Sequence, residues 1–181
     1  MPIFYSRLSP YEFSVLCPQL VSIYIRAMSY GTDVHNTAMK AWRIASLEKD
    51  FQSVIAHDAS HLLGFCFGHR GARHQWWDQE IRRGLREHGS HRLEVLGDYF
   101  TISEIHVEPR LQGLGIGHSL LQQLLHKVDC EYAILSTPEV NAEENAAFHL
   151  YRNFGFQDVL RDFHFRGDAR PFAILSKQLR P

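Results

Sequence analysis

The sequence has few cysteines and no long apolar run. Its 181 residues include only three cysteines, Cys17, Cys66 and Cys130, an odd number at wide spacings. This usage predicts buried thiols in a reducing compartment, and it argues against a disulfide framework or a zinc site. No apolar run is long enough to cross a bilayer, and the first residues lack the layout of a signal peptide. We therefore expect a cytoplasmic protein that does not enter a membrane.

An excess of charge of either sign is also missing. The chain carries 19 basic and 20 acidic residues, a net charge of −1, which leaves no electrostatic footprint for duplex nucleic acid. Twelve histidines raise the question of a metal site. However, His57 and His61 lie where we predict a turn, and ligand-like spacing is absent from the others in a polar connection: His69, His74, His88 and His91. We expect neither a nucleic-acid partner nor a bound metal.

Neither repeats nor linkers divide the chain, so we predict one domain of residues 1–181, long enough for a full core. The hydrophobic patterns predict seven strands, over residues 1–7, 51–56, 62–68, 99–107, 132–135, 156–165 and 171–178. They also predict five helices, over residues 10–25, 33–47, 76–83, 116–128 and 141–153. Pro18 should kink or split the first helix, and Gly155 should end the last one.

Three glycines alternate where the fourth predicted strand meets the fourth predicted helix: Gly113, Gly115 and Gly117. Glycine lets the backbone turn tightly and approach a ligand closely. The first amides of a helix have no partner inside it, and the positive end of the helix dipole lies behind them. This arrangement favours a pyrophosphate, although a plain helix start is the alternative. A dinucleotide-binding loop, Gly-x-Gly-x-x-Gly, needs a third glycine where this chain has His118, and a Walker loop needs a lysine that the segment lacks.

Two segments together resemble a known family. Residues 105–117 resemble motif A of the GCN5-related N-acetyltransferase (GNAT) superfamily, Gln/Arg-x-x-Gly-x-Gly/Ala, with Gln112, Gly115 and Gly117 in its fixed positions. Residues 145–156 resemble motif B, Asn-x-x-Ala-x-x-Leu-Tyr-x-x-x-Gly-Phe, with a departure around its small residue. The two blocks stand in the right order and roughly 30 residues apart, as a strand–helix–strand connection needs.

The resemblance implies a fold and a cofactor. The expected fold is the α/β (α+β) GNAT fold, a mixed, mostly antiparallel, twisted sheet of about seven strands with helices on both faces. Its fourth and fifth strands splay apart, and acetyl-CoA lies in the gap and leaves as coenzyme A. Carried onto this chain, the cofactor-binding residues are Ile105, Val107, Gln112, Gly113, Leu114, Gly115, Ile116, Gly117, His118, Asn145 and Tyr151.

The resemblance further implies acetyl transfer by direct attack of a primary amine in a ternary complex. A lysine-type amine is mostly protonated at neutral pH, with a reference pKa near ~10.4, so a base is needed. Glu104 is the first candidate, and strand alternation places His106, the second, on the same face. A water chain is the third possibility. Tyr151, which matches the motif B tyrosine, would protonate the leaving thiolate. The alternative for each residue is a purely structural role.

The acceptor is less well specified. Trp76 and Trp77, between the third and fourth strands, and Ser136, directly after the fifth, are predicted to bind a small-molecule or peptide amine. Asp78 and Glu80 could attract a cationic amine, but a solvated helix face is the commoner outcome. A homodimer is possible. The alternative function is a catalytically silent acyl-CoA-binding sensor.

Overall fold

The computed structural model describes residues 2–88 and 92–180, which contain seven strands and five α-helices. The strands are β1 (Phe4–Arg7), β2 (Gln52–His57), β3 (Leu62–Arg70), β4 (Tyr99–Val107), β5 (Tyr132–Pro138), β6 (Gln157–Phe163) and β7 (Phe172–Gln178). The helices are α1 (Pro10–Met28), α2 (His35–Ala45), α3 (Trp76–Glu87), α4 (Ile116–Leu125) and α5 (Ala146–Asn153). Residue 1 of the predicted first strand and residues 89–91 of the predicted polar connection lie outside the described residues.

The strands form one sheet in the order β1-β2-β3-β4-β5-β7-β6. The pairs β1–β2, β2–β3, β5–β7 and β6–β7 are antiparallel, and β4–β5 is parallel. The β4–β5 register covers Tyr99–Thr101 against Tyr132–Ile134, whereas both strands continue beyond it, which is consistent with the predicted splay. The predicted mixed, mostly antiparallel sheet of seven strands is confirmed.

The chain falls into two compact units. The first runs through His69 and resumes over Ile102–Val128, and the second comprises Arg70–Thr101 and the segment from Asp129 onward. Strand β4 therefore contributes its first three residues to the second unit and the rest to the first.

Helix α1 of the first unit begins with a capping box. The Ser9 hydroxyl accepts from the Glu12 amide at 3.2 Å, and the Ser9 amide donates to the Glu12 carboxylate at 2.8 Å. Pro18 lies inside a continuous helix, so a split at this residue is excluded, and a kink remains a prediction. Proline cannot donate to the carbonyl four residues earlier, and the Arg43 guanidinium instead donates to that Ser14 carbonyl at 3.3 Å.

Helices cover both faces of the sheet in the first unit. Phe65 and Phe67 of β3 belong to a core cluster with Phe13 and Leu20 of α1. Cys66, between them on the strand, donates its thiol to the Leu120 carbonyl of α4 at 3.4 Å. Because successive strand residues point to opposite faces, α1 and α4 lie on opposite sides of β3.

The second unit has a core of its own, in which α3 packs on β6 and β7. Ile81 and Leu85 are fully buried in a cluster with Phe163 and Ile174. Gly84 permits this close approach, since a Cβ there would lie 2.5 Å from the Phe163 ring. The three cysteines of the chain are buried, as predicted.

Three helices are shorter than predicted, and α2 spans His35–Ala45 rather than 33–47. Helix α4 ends at Leu125 rather than 128. Helix α5 begins at Ala146 rather than 141, because Ala142 and Glu143 take positive φ angles of 49° and 57° that interrupt the helical backbone. No helix of the described segments is long and apolar enough to span a membrane.

Candidate active site

The turn between β4 and α4 has the geometry of an anion-binding site. Gly113 and Gly115 both have a φ of +81°, a left-handed conformation that side chains disfavour. Gly115 is the N-cap of α4, and no side chain caps that helix end. A Cβ added at either glycine would meet no atom within 4 Å. The space beside both glycines is therefore open, and the start of a helix next to such space is a typical anion-binding arrangement.

Gln112 fixes this turn to the end of β4. Its side-chain amide donates to the Val107 carbonyl at 3.3 Å. Leu114, between the two left-handed glycines, is 66% exposed, whereas Ile116 of α4 is buried. Ile116 therefore anchors the helix in the core while the turn before it stays at the surface.

Glu104 and His106 of β4 form a hydrogen-bonded pair. His106 Nε2 lies 2.7 Å from Glu104 Oε2, and the two side chains are 12% and 26% exposed. The imidazole also packs edge-on against Tyr24 of α1, with ring centres 5.0 Å apart, and against Phe65 at 5.7 Å. The structure therefore brings the two predicted bases together on one face of β4.

Asn145 and Tyr151 have structural roles at the two ends of α5. The Asn145 carbonyl oxygen Oδ1 accepts from the Phe148 amide at 2.8 Å, so Asn145 caps the helix. The Tyr151 carbonyl accepts from the Phe156 amide at 3.0 Å, after Gly155 with φ +84°. The Tyr151 and Phe156 rings also touch, with centres 5.9 Å apart. These are the features of a Schellman helix end, which accounts for the Tyr-x-x-x-Gly-Phe spacing.

The structure joins two of the three predicted acceptor-binding residues. The Trp77 indole N–H donates to the Ser136 hydroxyl at 3.3 Å. Trp77 is partly buried against the core cluster of the second unit. Trp76 is 55% exposed, and its ring lies 5.6 Å from that of Phe165.

Asp78 is not on a solvated helix face, so that expectation is wrong. Its side chain is fully buried and accepts from Arg82 Nε and from the Tyr99 hydroxyl, both at 2.7 Å. The guanidinium compensates the cost of burying the carboxylate. Burial, and then the bond to Asp78, raise the pKa of Tyr99 above its ordinary value.

Glu80 is likewise buried, at 2% exposure. It accepts from Arg83 Nη2 at 2.8 Å and from the Arg166 amide at 3.0 Å. The hydrogen bond from Arg83 holds the pKa of Glu80 below its ordinary value. Asp78 and Glu80 are therefore internal ion-pair partners, and they do not form an exposed attractor for a cationic amine.

Sequence reasoning missed an ionic network beside α5. Arg152 donates to Glu143 at 2.6 Å and to Asp158 at 2.6 Å, and Arg161 donates to Glu139 at 2.6 Å and to Glu143 at 2.8 Å. The hydrogen bond from Arg152 is the main cause that lowers the pKa of Glu143 to about 2. Most partners lie 9 to 22 residues apart, so no short motif signals the network.

No group of three or more metal-ligating side chains occurs within residues 2–88 and 92–180. Two of the histidines considered above, His57 and His61, instead flank the β2–β3 turn, where His61 lies 3.5 Å from the Asp58 carboxylate. His91 lies outside the described residues.

Comparisons with known proteins identify the family. The model of the acetyltransferase (GNAT) domain matches residues 89–168. A GCN5-like protein acetyltransferase of Mycobacterium tuberculosis (strain ATCC 25618 / H37Rv) is 33% identical over 204 aligned positions, covering 99% of each chain. A [ribosomal protein bS18]-alanine N-acetyltransferase of Escherichia coli (strain K12) is 31% identical over 84 residues, which cover 45% of this chain and 57% of that protein.

Solved structures agree in fold. The crystal structure of the ribosomal-protein-S18-alanine N-acetyltransferase from Escherichia coli has a TM-score of 0.66 at 18% identity, covering 99% of this chain and 96% of that one. The structure of yncA from Salmonella typhimurium with its cofactor acetyl-CoA has a TM-score of 0.60 at 14% identity, covering 98% and 94%. Because the acetyltransferase of Mycobacterium tuberculosis is 33% identical and matches 99% of this chain, the chain belongs to the GCN5-related N-acetyltransferase (GNAT) family.

Proposed function

We propose that this protein is an N-acetyltransferase that transfers the acetyl group of acetyl-CoA to a primary amine of a peptide, protein or small molecule. The observation that carries the proposal is the glycine turn before α4, left-handed at Gly113 and Gly115 and open above both positions. Membership of the GNAT family supports it. A single catalytic domain over residues 1–181 and a cytoplasmic location remain our predictions.

Main-chain groups would hold most of the cofactor. We assign the diphosphate to the amides from Gln112 to Gly117, because the main-chain N–H groups at the start of a helix and the positive end of its dipole favour an anion. We assign the pantetheine arm to the main chain of Ile105 and Val107, and further contacts to Asn145 and Tyr151. When bound, acetyl-CoA supplies the thioester that the amine attacks.

The Glu104–His106 pair would take the proton from the attacking amine, directly or through water. The two groups share a hydrogen bond of 2.7 Å, so a proton that reaches one of them can be shared with the other. Their partial burial shields the pair from bulk water without closing it off. A Glu104→Gln variant should therefore lose turnover while it keeps its affinity for the cofactor.

The hydroxyl of Tyr151 would give the leaving thiolate its proton. The helix end explains why the ring is held in place, since its contact with Phe156 and the bond from the Phe156 amide leave it little freedom.

The acceptor would bind beside Trp77 and Ser136, with the exposed Trp76 nearby in sequence. Two of the relatives are a protein acetyltransferase and an alanine N-acetyltransferase of a ribosomal protein. Peptide amines are therefore the first acceptors to test, ahead of small-molecule amines.

The decisive experiment is a turnover screen that follows thiol release from acetyl-CoA. The panel contains peptides with free N-terminal amines, peptides with a lysine and a blocked N-terminus, and small primary amines. We expect turnover with at least one class and its loss in Glu104→Gln. Tight acetyl-CoA binding without turnover on any amine would favour the silent sensor, and preferential binding of NAD would favour a dinucleotide site.

A further inference from the structure

The turn between β5 and α5 is held in an unfavourable backbone conformation. Ala142 and Glu143, neither of which is glycine, have φ angles of 49° and 57°. Left-handed backbone is costly for residues with a side chain, and it persists only where the surroundings impose it. A specific set of contacts must therefore stabilise this turn.

Two arginines supply those contacts. The Arg152 guanidinium donates to both oxygens of Glu143, at 2.9 and 2.6 Å, and Arg161 adds a third bond at 2.8 Å. Arg152 belongs to α5 and Arg161 to β6, so the carboxylate is held from two elements. Because its pKa is about 2, the carboxylate is ionised throughout the neutral range.

Glu143 is hydrogen-bonded directly to Asn145 through the main chain. The Asn145 amide donates to the Glu143 carbonyl at 2.8 Å. Asn145 in turn caps α5 through the Phe148 amide at 2.8 Å. The Glu143 side chain, the turn and the first turn of α5 therefore form one continuous chain of contacts.

We propose that Glu143, held by Arg152 and Arg161, is a positioning residue for the cofactor: it fixes Asn145 and the start of α5 in the geometry that binds acetyl-CoA. This inference rests on the function proposed above. Glu143 itself need not touch the cofactor. Its loss should therefore weaken cofactor binding, and turnover at saturating acetyl-CoA should stay unchanged.

The test is Glu143→Gln, which keeps the size of the side chain and removes its charge. The matched control is Asp168→Asn. Asp168 belongs to the same unit, pairs with Arg170 at 2.7 Å and also has a pKa lowered to about 2, chiefly by its bond from Arg170. The measurements are the Kd for coenzyme A by calorimetry, the KM and kcat for acetyl-CoA, and hydrogen exchange at the Phe148 amide.

We expect Glu143→Gln to raise the Kd for coenzyme A and the KM for acetyl-CoA about tenfold, the effect of relaxing one strained residue. Exchange at the Phe148 amide should accelerate, and kcat should hold. Asp168→Asn should change none of these. If Glu143→Gln does not fold, Arg152→Lys, which keeps the charge but loses the two-pronged contact, should show a smaller rise of about threefold.

The outcomes separate the two proposals. Unchanged coenzyme A affinity in Glu143→Gln, with normal binding by the wild-type protein, would overturn the inference and leave the proposed function standing. An equal rise in Asp168→Asn would overturn it as well, since the effect would then be general. No binding by the wild-type protein would overturn both.

Discussion

Replacing Gly115 with alanine tests the glycine turn as the diphosphate site. The structure provides a matched position, because Gly167 has a φ of +86° against +81° at Gly115, and a Cβ meets nothing within 4 Å at either. The cost to the folded protein is therefore the same backbone strain, about 1–2 kcal/mol. For a chain of this size it should lower the Tm of both variants by roughly 2–8 °C.

The two variants should differ only in cofactor affinity. The new methyl group at Gly115 would stand in the space through which the diphosphate approaches, and losing one charge-assisted hydrogen bond costs about 1.5–3 kcal/mol. We expect Gly115→Ala to bind coenzyme A at least about tenfold more weakly. In Gly115→Glu, a carboxylate about 5 Å from the diphosphate adds roughly 3 kcal/mol of repulsion at an effective dielectric constant near 20, enough to abolish binding in practice.

The assay is calorimetric titration of coenzyme A into each variant, with thermal unfolding measured in parallel. Gly167→Ala should match Gly115→Ala in stability and the wild-type protein in affinity. If Gly115→Ala binds coenzyme A as tightly as Gly167→Ala, the diphosphate does not lie at this turn, and the reasoning fails.

Three further predictions concern other residues. Tyr151→Phe should lower kcat by at least about tenfold and leave the Kd for coenzyme A nearly unchanged; equal losses in both would refute the acid role. Tyr99→Phe should destabilise the protein by about 1–3 kcal/mol in urea unfolding, because the buried Asp78 loses a donor; unchanged stability would show that water replaces the hydroxyl. Asp168 has a folded pKa of about 2, below its ordinary 3.8, so its contribution to stability is present above pH 3.8 and is lost as the pH falls towards 2. Asp168→Asn should therefore flatten the acid limb of a Tm-against-pH curve, and a curve as steep as that of the wild type would contradict this.

Features set by local rules were predictable from the sequence. Strand β4 has the bounds predicted from its hydrophobic pattern, and α1 starts where the Ser9 capping box predicts. The alternating glycines predicted a tight turn before α4, and the turn is present with left-handed Gly113 and Gly115. Strand periodicity likewise placed Glu104 and His106 on one face.

Features set by distant partners were not predictable. The burial of Asp78 and Glu80 depends on Tyr99 and on the Arg166 amide, which lie 21 and 86 residues away in the sequence. From the sequence alone, a charged residue on a helix is predicted to be exposed unless its partner is known. The late start of α5 has the same origin, because the left-handed Glu143 is held by arginines that follow it in the chain.

The contact of Tyr151 with Phe156 has a consequence for comparing family members. The bonds that end α5 are main-chain bonds, and the ring of Tyr151 adds a contact with Phe156 that does not involve its hydroxyl. If Tyr151 is the acid that we propose, phenylalanine at this position would keep the ring contact and remove the proton donor. Tyrosine at this position would by itself be no proof of activity.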